Sequence, residues 1–245
     1  MTPPSAPYRY EAQAWRAGLA RVAGLDEAGR GPLAGPVVAA AVILTSDRRV
    51  RKLCDSKLLS PERREELFEA ITARAVAIGV GIVDHETIDR VNILQATRLA
   101  MLEALRGLTV APDLVITDFV TLPGLTCPQR NLVDGDARCA TVAAASIIAK
   151  VTRDRLMLEA DKQFPEYGFA RHKGYATADH LAALDRHGPC PLHRRTFAGV
   201  VWRQGELFLL GGGLDGPLRS LPQDSIARAK PALEHRDQGR RRTGR

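Results

Sequence analysis

Short apolar runs alternate with helical stripes along this chain. Residues 21–26 (RVAGLD) and 37–44 (VVAAAVIL) read as strands, and the second has no polar position at all, the mark of a strand covered on both faces. Between them lies EAGRGPLAGP (27–36), where three glycines and two prolines in ten positions make a loop that bends sharply or lets something approach its backbone closely. Residues 77–83 (AIGVGIV) and 113–118 (DLVITD, preceded by Pro112) read as two further strands. Helical spacing appears after Ser60-Pro61-Glu62, a Ser cap with Pro at the first helical position, where Leu67, Phe68, Ile71 and Ala75 recur on one face. Residues 86–89 and 92–105 follow as helices, the latter with Ile93, Ala96, Leu99, Ala100 and Leu102 apolar. A long helix is expected over 140–164 and another over 177–187 with Thr177 as its cap. A short helix over 10–19 follows a proline-rich start, and 120–130, with Pro123 and Pro128, reads as an irregular connection. Strands first, then strands alternating with helices, give an α/β domain with a mixed sheet flanked by helices and additional C-terminal helices.

Length and composition bound this picture. With 245 residues, 45% of them hydrophobic and 26% charged, the chain has the make-up of a globular protein of one large domain or two small ones. Its longest apolar stretch, residues 36–44, is far short of the ~18 residues that suggest a membrane span. No apolar signal region follows the N-terminus, so a cytoplasmic protein is expected. Cys54, Cys127, Cys139 and Cys190 form no C-x-x-C pair and are expected as reduced thiols. The division expected is an N-terminal extension (1–20), a catalytic domain (21–210), and a Gly-rich linker with a basic, disordered tail (211–245).

The acids fall in a pattern. Asp26 and Glu27 end one hydrophobic strand just before the glycine loop, Asp118 ends another, and Asp136 precedes the Ala-rich helix. Sites in open α/β sheets form beyond the carboxyl ends of strands. Acids gathered there repel one another unless a hard divalent cation neutralises them, and oxygen ligands favour Mg²⁺ or Mn²⁺ over zinc. Singly, Asp118 reads more readily as a turn former or helix cap, the Asp26-Glu27 pair as a solvated strand end, and Asp136 as a turn residue.

The run Asp26-Glu27-Ala28-Gly29-Arg30-Gly31-Pro32-Leu33-Ala34-Gly35-Pro36-Val37 resembles the signature of type 2 ribonuclease H, the ribonuclease HII family. So do Asp55-Ser56-Lys57, AAASIIAKVTRDR at 143–155 and HKGYAT at 172–177, in matching order over roughly residues 20–197. The resemblance implies a ribonuclease-H-like fold and two bound Mg²⁺ or Mn²⁺ ions. It implies that Asp26, Glu27, Asp118 and Asp136 are the catalytic metal ligands. It also implies that Gly29, Arg30 and Gly31 contact the substrate and that Tyr175 senses the RNA–DNA junction. Lys57, Lys150, Arg153, His172, Lys173 and Arg195 are candidate phosphate contacts. The expected partner is an RNA/DNA hybrid or DNA containing ribonucleotides, cut by a monomer on the 5′ side of the ribonucleotide to leave 3′-hydroxyl and 5′-phosphate ends. Two positions depart from the family pattern. Asp134 stands where the family often has Lys, which makes it a rival for the fourth ligand, and Phe119 stands where Gly is frequent. Asp154, well inside the long helix, is expected to pair with a basic residue instead.

The charge is uneven. Residues 216–245 hold eight basic and three acidic residues, +5 of the chain's +7. Such a segment neutralises phosphates without folding, and each contact releases condensed counterions. Deleting it is expected to leave the cleavage position unchanged. The slope of log affinity against log salt on an uncleavable duplex should become shallower by roughly one to four units. Overlapping salt titrations of the full and shortened chains would remove any role for the tail in binding.

Overall fold

The computed structural model describes residues 4–200. The linker and tail expected at 211–245, and residues 201–210 of the expected catalytic domain, lie outside the described residues. Five strands, β1 (Val22–Ala28), β2 (Val37–Leu44), β3 (Ala77–Val83), β4 (Leu114–Asp118) and β5 (Gln129–Leu132), form one mixed sheet in the order β3-β2-β1-β4-β5. β1 runs antiparallel to β2, with Asp26 opposite Ala40, and β2 antiparallel to β3. β4 lies parallel to β1 on its other side and β5 parallel to β4. The carboxyl ends of β1 and β4 therefore open at the same rim of the sheet, which is what brings Asp26 and Asp118 together.

Helices cover both faces. α2 (Pro61–Arg74) and the 24-residue α6 (Ala140–Gln163) pack against one side, where Val38, Val42 and Leu44 of β2 meet Phe68, Ile71, Ala144 and Ile148. α4 (Ile93–Arg106), entered from α3 (His85–Val91), covers the other side with Ala96, Ala100, Met101 and Ala104 against Leu25, Ala41 and Ile43. β2 is buried at every position, as its unbroken apolar run requires. α6 lies so close to β1 that a Cβ on Gly24 would sit 2.1 Å from the Thr141 carbonyl carbon, so only glycine fits there. α7 (Phe169–His172) and α8 (Ala178–His187) build a further apolar cluster with Leu33, Met157 and Leu192. Ser60 and Thr177 cap their helices as expected, accepting from the Arg63 and His180 amides. Among the described residues no helix is long and apolar enough to cross a membrane, and all four cysteines are free.

Three differences from the sequence reading have physical causes. β1 continues two residues past Asp26, because Glu27 and Ala28 keep their ladder partners Ala39 and Val38. β5 falls partly within the stretch expected to be irregular. Its sequence, Gln-Arg-Asn-Leu, lacks an apolar alternation because it is an edge strand with a single neighbour. α1 (Arg9–Arg16) ends before Leu19, since Gly18 turns into the left-handed region at φ 85°. The segment expected as an extension is built into the body. Tyr10, Glu11 and Ala14 are buried, and Glu11 reaches the N-terminus of α6, accepting from the Thr141 amide at 2.7 Å and its hydroxyl at 3.1 Å. That helix has no cap of its own, so residue 11 serves as one from a distant part of the chain.

Candidate active site

The four acids expected as ligands meet at the rim formed by β1, β4 and the start of α5 (Gly135–Arg138). Asp26, only 6% exposed, accepts the Glu27 amide at 2.7 Å and lies beside the Ser146 hydroxyl of α6. Ser146 in turn shares a buried 2.9 Å hydrogen bond with Ser56. Asp118 accepts the Gly135 amide at 2.9 Å. A Cβ on Gly135 would lie 3.3 Å from the Asp118 Cα, so the short helix is seated directly on the end of β4. This brings in Asp136, buried at 6% exposure, while Asp134 takes a left-handed conformation (φ 55°) and faces solvent. Of the two rivals, Asp136 is thus the one held among the other acids.

The electrostatics follow from this crowding. Burial first, then the charge of Glu27, raises the Asp26 carboxyl well above its ordinary range. Glu27 is also raised, by burial, although Arg30 opposes the shift through a 3.3 Å ion pair. Burial, Asp55 and Asp118 push Asp136 up to about 6. Lys57 is the cation within the group: burial works against its charge, yet Asp55, Asp136, Asp26 and Asp118 together hold its amine above the usual lysine range. Among the described residues no three of these side chains close into a finished cage. The Glu27 Oε2 oxygen is nevertheless buried without a hydrogen-bond partner among the described residues. A desolvated carboxylate oxygen with nothing to bind is costly, and it suits an oxygen-seeking cation.

Gly29, Arg30 and Gly31 leave the end of β1 and come up against Tyr175. A Cβ on Gly31 would lie 3.9 Å from the Tyr175 ring, which is 42% exposed. Tyr175 is held from below by Lys150 and Arg153, 5.8 and 5.9 Å from its ring centre, and its carbonyl oxygen lies 2.9 Å from His180 Nδ1. Gly29 has φ 99°, and a Cβ there would come within 2.1 Å of Arg153, two independent reasons for glycine.

Two expected phosphate contacts, His172 and Arg153, are buried instead. His172 is buried: its Nε2 donates to the Tyr167 carbonyl at 2.7 Å and its Nδ1 accepts the Gly174 amide at 3.2 Å, leaving neither nitrogen for a phosphate. It instead stacks on His180, with ring centres 4.5 Å apart. Arg153 is fully buried against backbone carbonyls. Lys173 gives one amine hydrogen to the Ala170 carbonyl, and the others have no acceptor among the described residues. Lys150 pairs with Asp154 at 2.7 Å, so Asp154 has the basic partner expected of it. Lys57 and Arg30 remain exposed at the rim.

The ribonuclease HII family model matches residues 23–202. The chain belongs to the ribonuclease HII family. It is similar to the ribonuclease HII of Geobacter metallireducens, 56% identical over 185 residues that cover 76% of this chain and 87% of that one. Family membership makes it a nuclease. The structure of ribonuclease H2 from Pyrococcus horikoshii shares the fold, with a TM-score of 0.62 at 24% identity over 86% of this chain and 99% of that one. So does Bst-RNase HIII in complex with Mn²⁺, with a TM-score of 0.56 at 18% identity over 91% of this chain and 74% of that one. The fold is therefore the ribonuclease-H-like one.

Within this ribonuclease HII frame, two residues carry more than the sequence reading gave them. Asp55 was only part of a motif, yet its carboxyl reaches Asp136 and accepts the Lys57 amide at 2.9 Å. Ser56 reaches Asp26 through Ser146. The Asp-Ser-Lys triplet held that signal, because three consecutive polar residues face the acids only if the segment is a tight turn.

Proposed function

We propose that the chain is an endoribonuclease that hydrolyses the phosphodiester on the 5′ side of ribonucleotides. Its substrates are RNA/DNA hybrids and duplex DNA with single embedded ribonucleotides, and its products carry 3′-hydroxyl and 5′-phosphate ends. The observation that supports this most is the meeting of four acids at one rim, with the orphaned Glu27 oxygen among them. That donor set of carboxylate oxygens suits two divalent ions, Mg²⁺ or Mn²⁺, held by Asp26, Glu27, Asp118 and Asp136. When bound, such ions activate water and stabilise the leaving oxygen.

The chain's own residues do the rest. The Glu27 amide fixes the Asp26 carboxylate beside Ser146, and the Gly135 amide fixes Asp118, so the charged oxygens stay aimed without reorganising. Lys57 and Arg30 offer positive charge to the backbone of the nucleic acid. Gly29, Arg30 and Gly31 bring their backbone against the sugar, where the 2′-hydroxyl separates RNA from DNA. Tyr175 stacks on the sugar at the junction, and Lys173 contributes a phosphate contact beside it. The protein acts as a cytoplasmic monomer in ribonucleotide removal.

The test is a labelled duplex carrying one ribonucleotide, incubated with and without Mg²⁺. Metal-dependent nicking beside the ribose is the expected result; binding without nicking would instead favour a protein that only binds nucleic acid. On the same substrate Tyr175→Ala is expected to lose about tenfold in kcat/KM, within the range of one stacked ring. The loss on a long hybrid should be smaller, since many ribonucleotides there can be engaged. Equal losses on both substrates would count against Tyr175 as the junction sensor.

A further inference from the structure

Two fully buried arginines lie behind the glycine loop, and neither forms an ion pair among the described residues. Burying a charge without a counter-charge is costly, so the bonds it makes must account for it. Arg153 donates to the carbonyls of Pro36, Lys173 and Ala34, each at 3.0 Å. Arg194 donates through Nε to Gly35 at 3.0 Å, through Nη1 to Arg30 at 3.0 Å, and through Nη2 to Gly29 at 2.6 Å and Gly35 at 2.9 Å. Burial pulls Arg194 down to about 9, which still leaves it charged at neutral pH.

Arg194 is itself immobilised. Its amide donates to the Leu33 carbonyl at 2.8 Å, and Asp89 of α3 accepts the next two amides, of Arg195 and Thr196, at 2.8 and 3.0 Å. The guanidinium is thus a fixed fork pressed into the inner side of the loop.

The consequence comes from the planarity of the peptide unit. Every peptide here is trans, so a carbonyl and the N–H that follows it point in opposite directions. Arg194 draws the carbonyls of Gly29 and Arg30 inward. The N–H groups of Arg30 and Gly31 then point away from Arg194, in the part of the loop that also approaches Tyr175. Neither N–H has an acceptor among the described residues. Arg30 and Gly31 are both exposed, so this donor pair is open to a ligand.

We propose that Arg194 is a specificity-determining positioning residue, which sets the Arg30 and Gly31 amides as a paired donor for the ribose 2′-hydroxyl and its neighbouring phosphate oxygen. This rests on the nuclease reading above and adds to it a residue that never touches substrate. Only arginine offers a planar fork of several donors to three carbonyls at once. Lysine keeps the charge but has no fork.

The experiment measures affinity in EDTA, where no cleavage occurs, for a short duplex with one ribonucleotide and for its all-deoxy counterpart. The wild-type chain should prefer the first. In Arg194→Lys that preference should fall by about 2- to 10-fold, the worth of one neutral hydrogen bond, with all-DNA binding little changed. An unchanged preference, or equal weakening on both duplexes, overturns the proposal. Arg194→Gln, planar but uncharged, carries the same comparison if the lysine variant does not fold. In the wild-type chain the amide resonances of Arg30 and Gly31 should shift with the ribonucleotide duplex and not with the all-DNA one. If they respond alike to both, the proposal falls whatever the variants do. A wild-type chain with no ribonucleotide preference overturns the proposed substrate reading first.

Discussion

Asp26→Asn, Glu27→Gln, Asp118→Asn and Asp136→Asn are each expected to lower nicking by at least about 100- to 1,000-fold, the usual cost of removing one preorganised charge from an active site. Asp134→Asn, at an exposed position one residue before the helix that carries Asp136, should be far milder. Three of these substitutions, at Asp26, Glu27 and Asp136, should act oppositely on stability. Asp26, Glu27 and Asp136 are all raised by burial, so the folded chain binds their protons more tightly than the unfolded chain does. A raised carboxyl adds stability at low pH and loses it as pH climbs to the folded value. For Asp136 that window runs from 3.8 to about 6. At pH 7.5, without divalent ions, Asp136→Asn should therefore gain about 1 kcal/mol, after allowing for solvent screening. The gain should vanish below about pH 4. Urea midpoints across pH read the effect directly. A variant that is both inactive and less stable at pH 7.5 would show that Asp136 is a structural anchor instead.

Glu11→Ala is expected to cost about 2–3 kcal/mol, combining the loss of a helix cap with that of a charged hydrogen bond. Its carboxylate serves the Thr141 amide and hydroxyl and the Cys139 thiol, all buried, and the alanine variant leaves them without a partner. α6 carries Ser146 and Arg153, so the damage should reach the site as well as the fold. Glu11→Gln keeps one acceptor oxygen and should recover roughly half the loss. Denaturant unfolding of the three chains measures this. Equal midpoints for wild type and Glu11→Ala would mean that α6 needs no cap.

Much of this was legible in the sequence because local signals agreed with one another. β2 could be read from eight apolar residues in a row, and α2 and α8 from their Ser and Thr caps. The four acids stood out because each precedes a chain reversal, at strand ends or before a helix. What escaped were contacts between distant positions. Glu11 looks like any polar residue on a surface helix, and nothing near it says that its partner is residue 141. Arg153 and His172 read as phosphate ligands because positive or titratable residues beside a nucleic-acid motif ordinarily face solvent. Their burial is decided by the packing of α6, α7 and the glycine loop, which no spacing rule records. Arg194 was hidden for the same reason, next to an exposed Arg195 whose amide is bound by Asp89.

The bond from Arg194 to the Gly29 carbonyl spans 165 positions. During synthesis, which proceeds from the N-terminus, the glycine loop leaves the ribosome long before the side chain that shapes its inner surface. Asp26, Glu27, Asp118 and Asp136 all emerge before Arg194 does. A chain that stops short of residue 194 holds every acid of the rim while the loop beside it lacks its backing. On the role proposed for Arg194, readiness to read the sugar is among the last properties the growing polypeptide acquires.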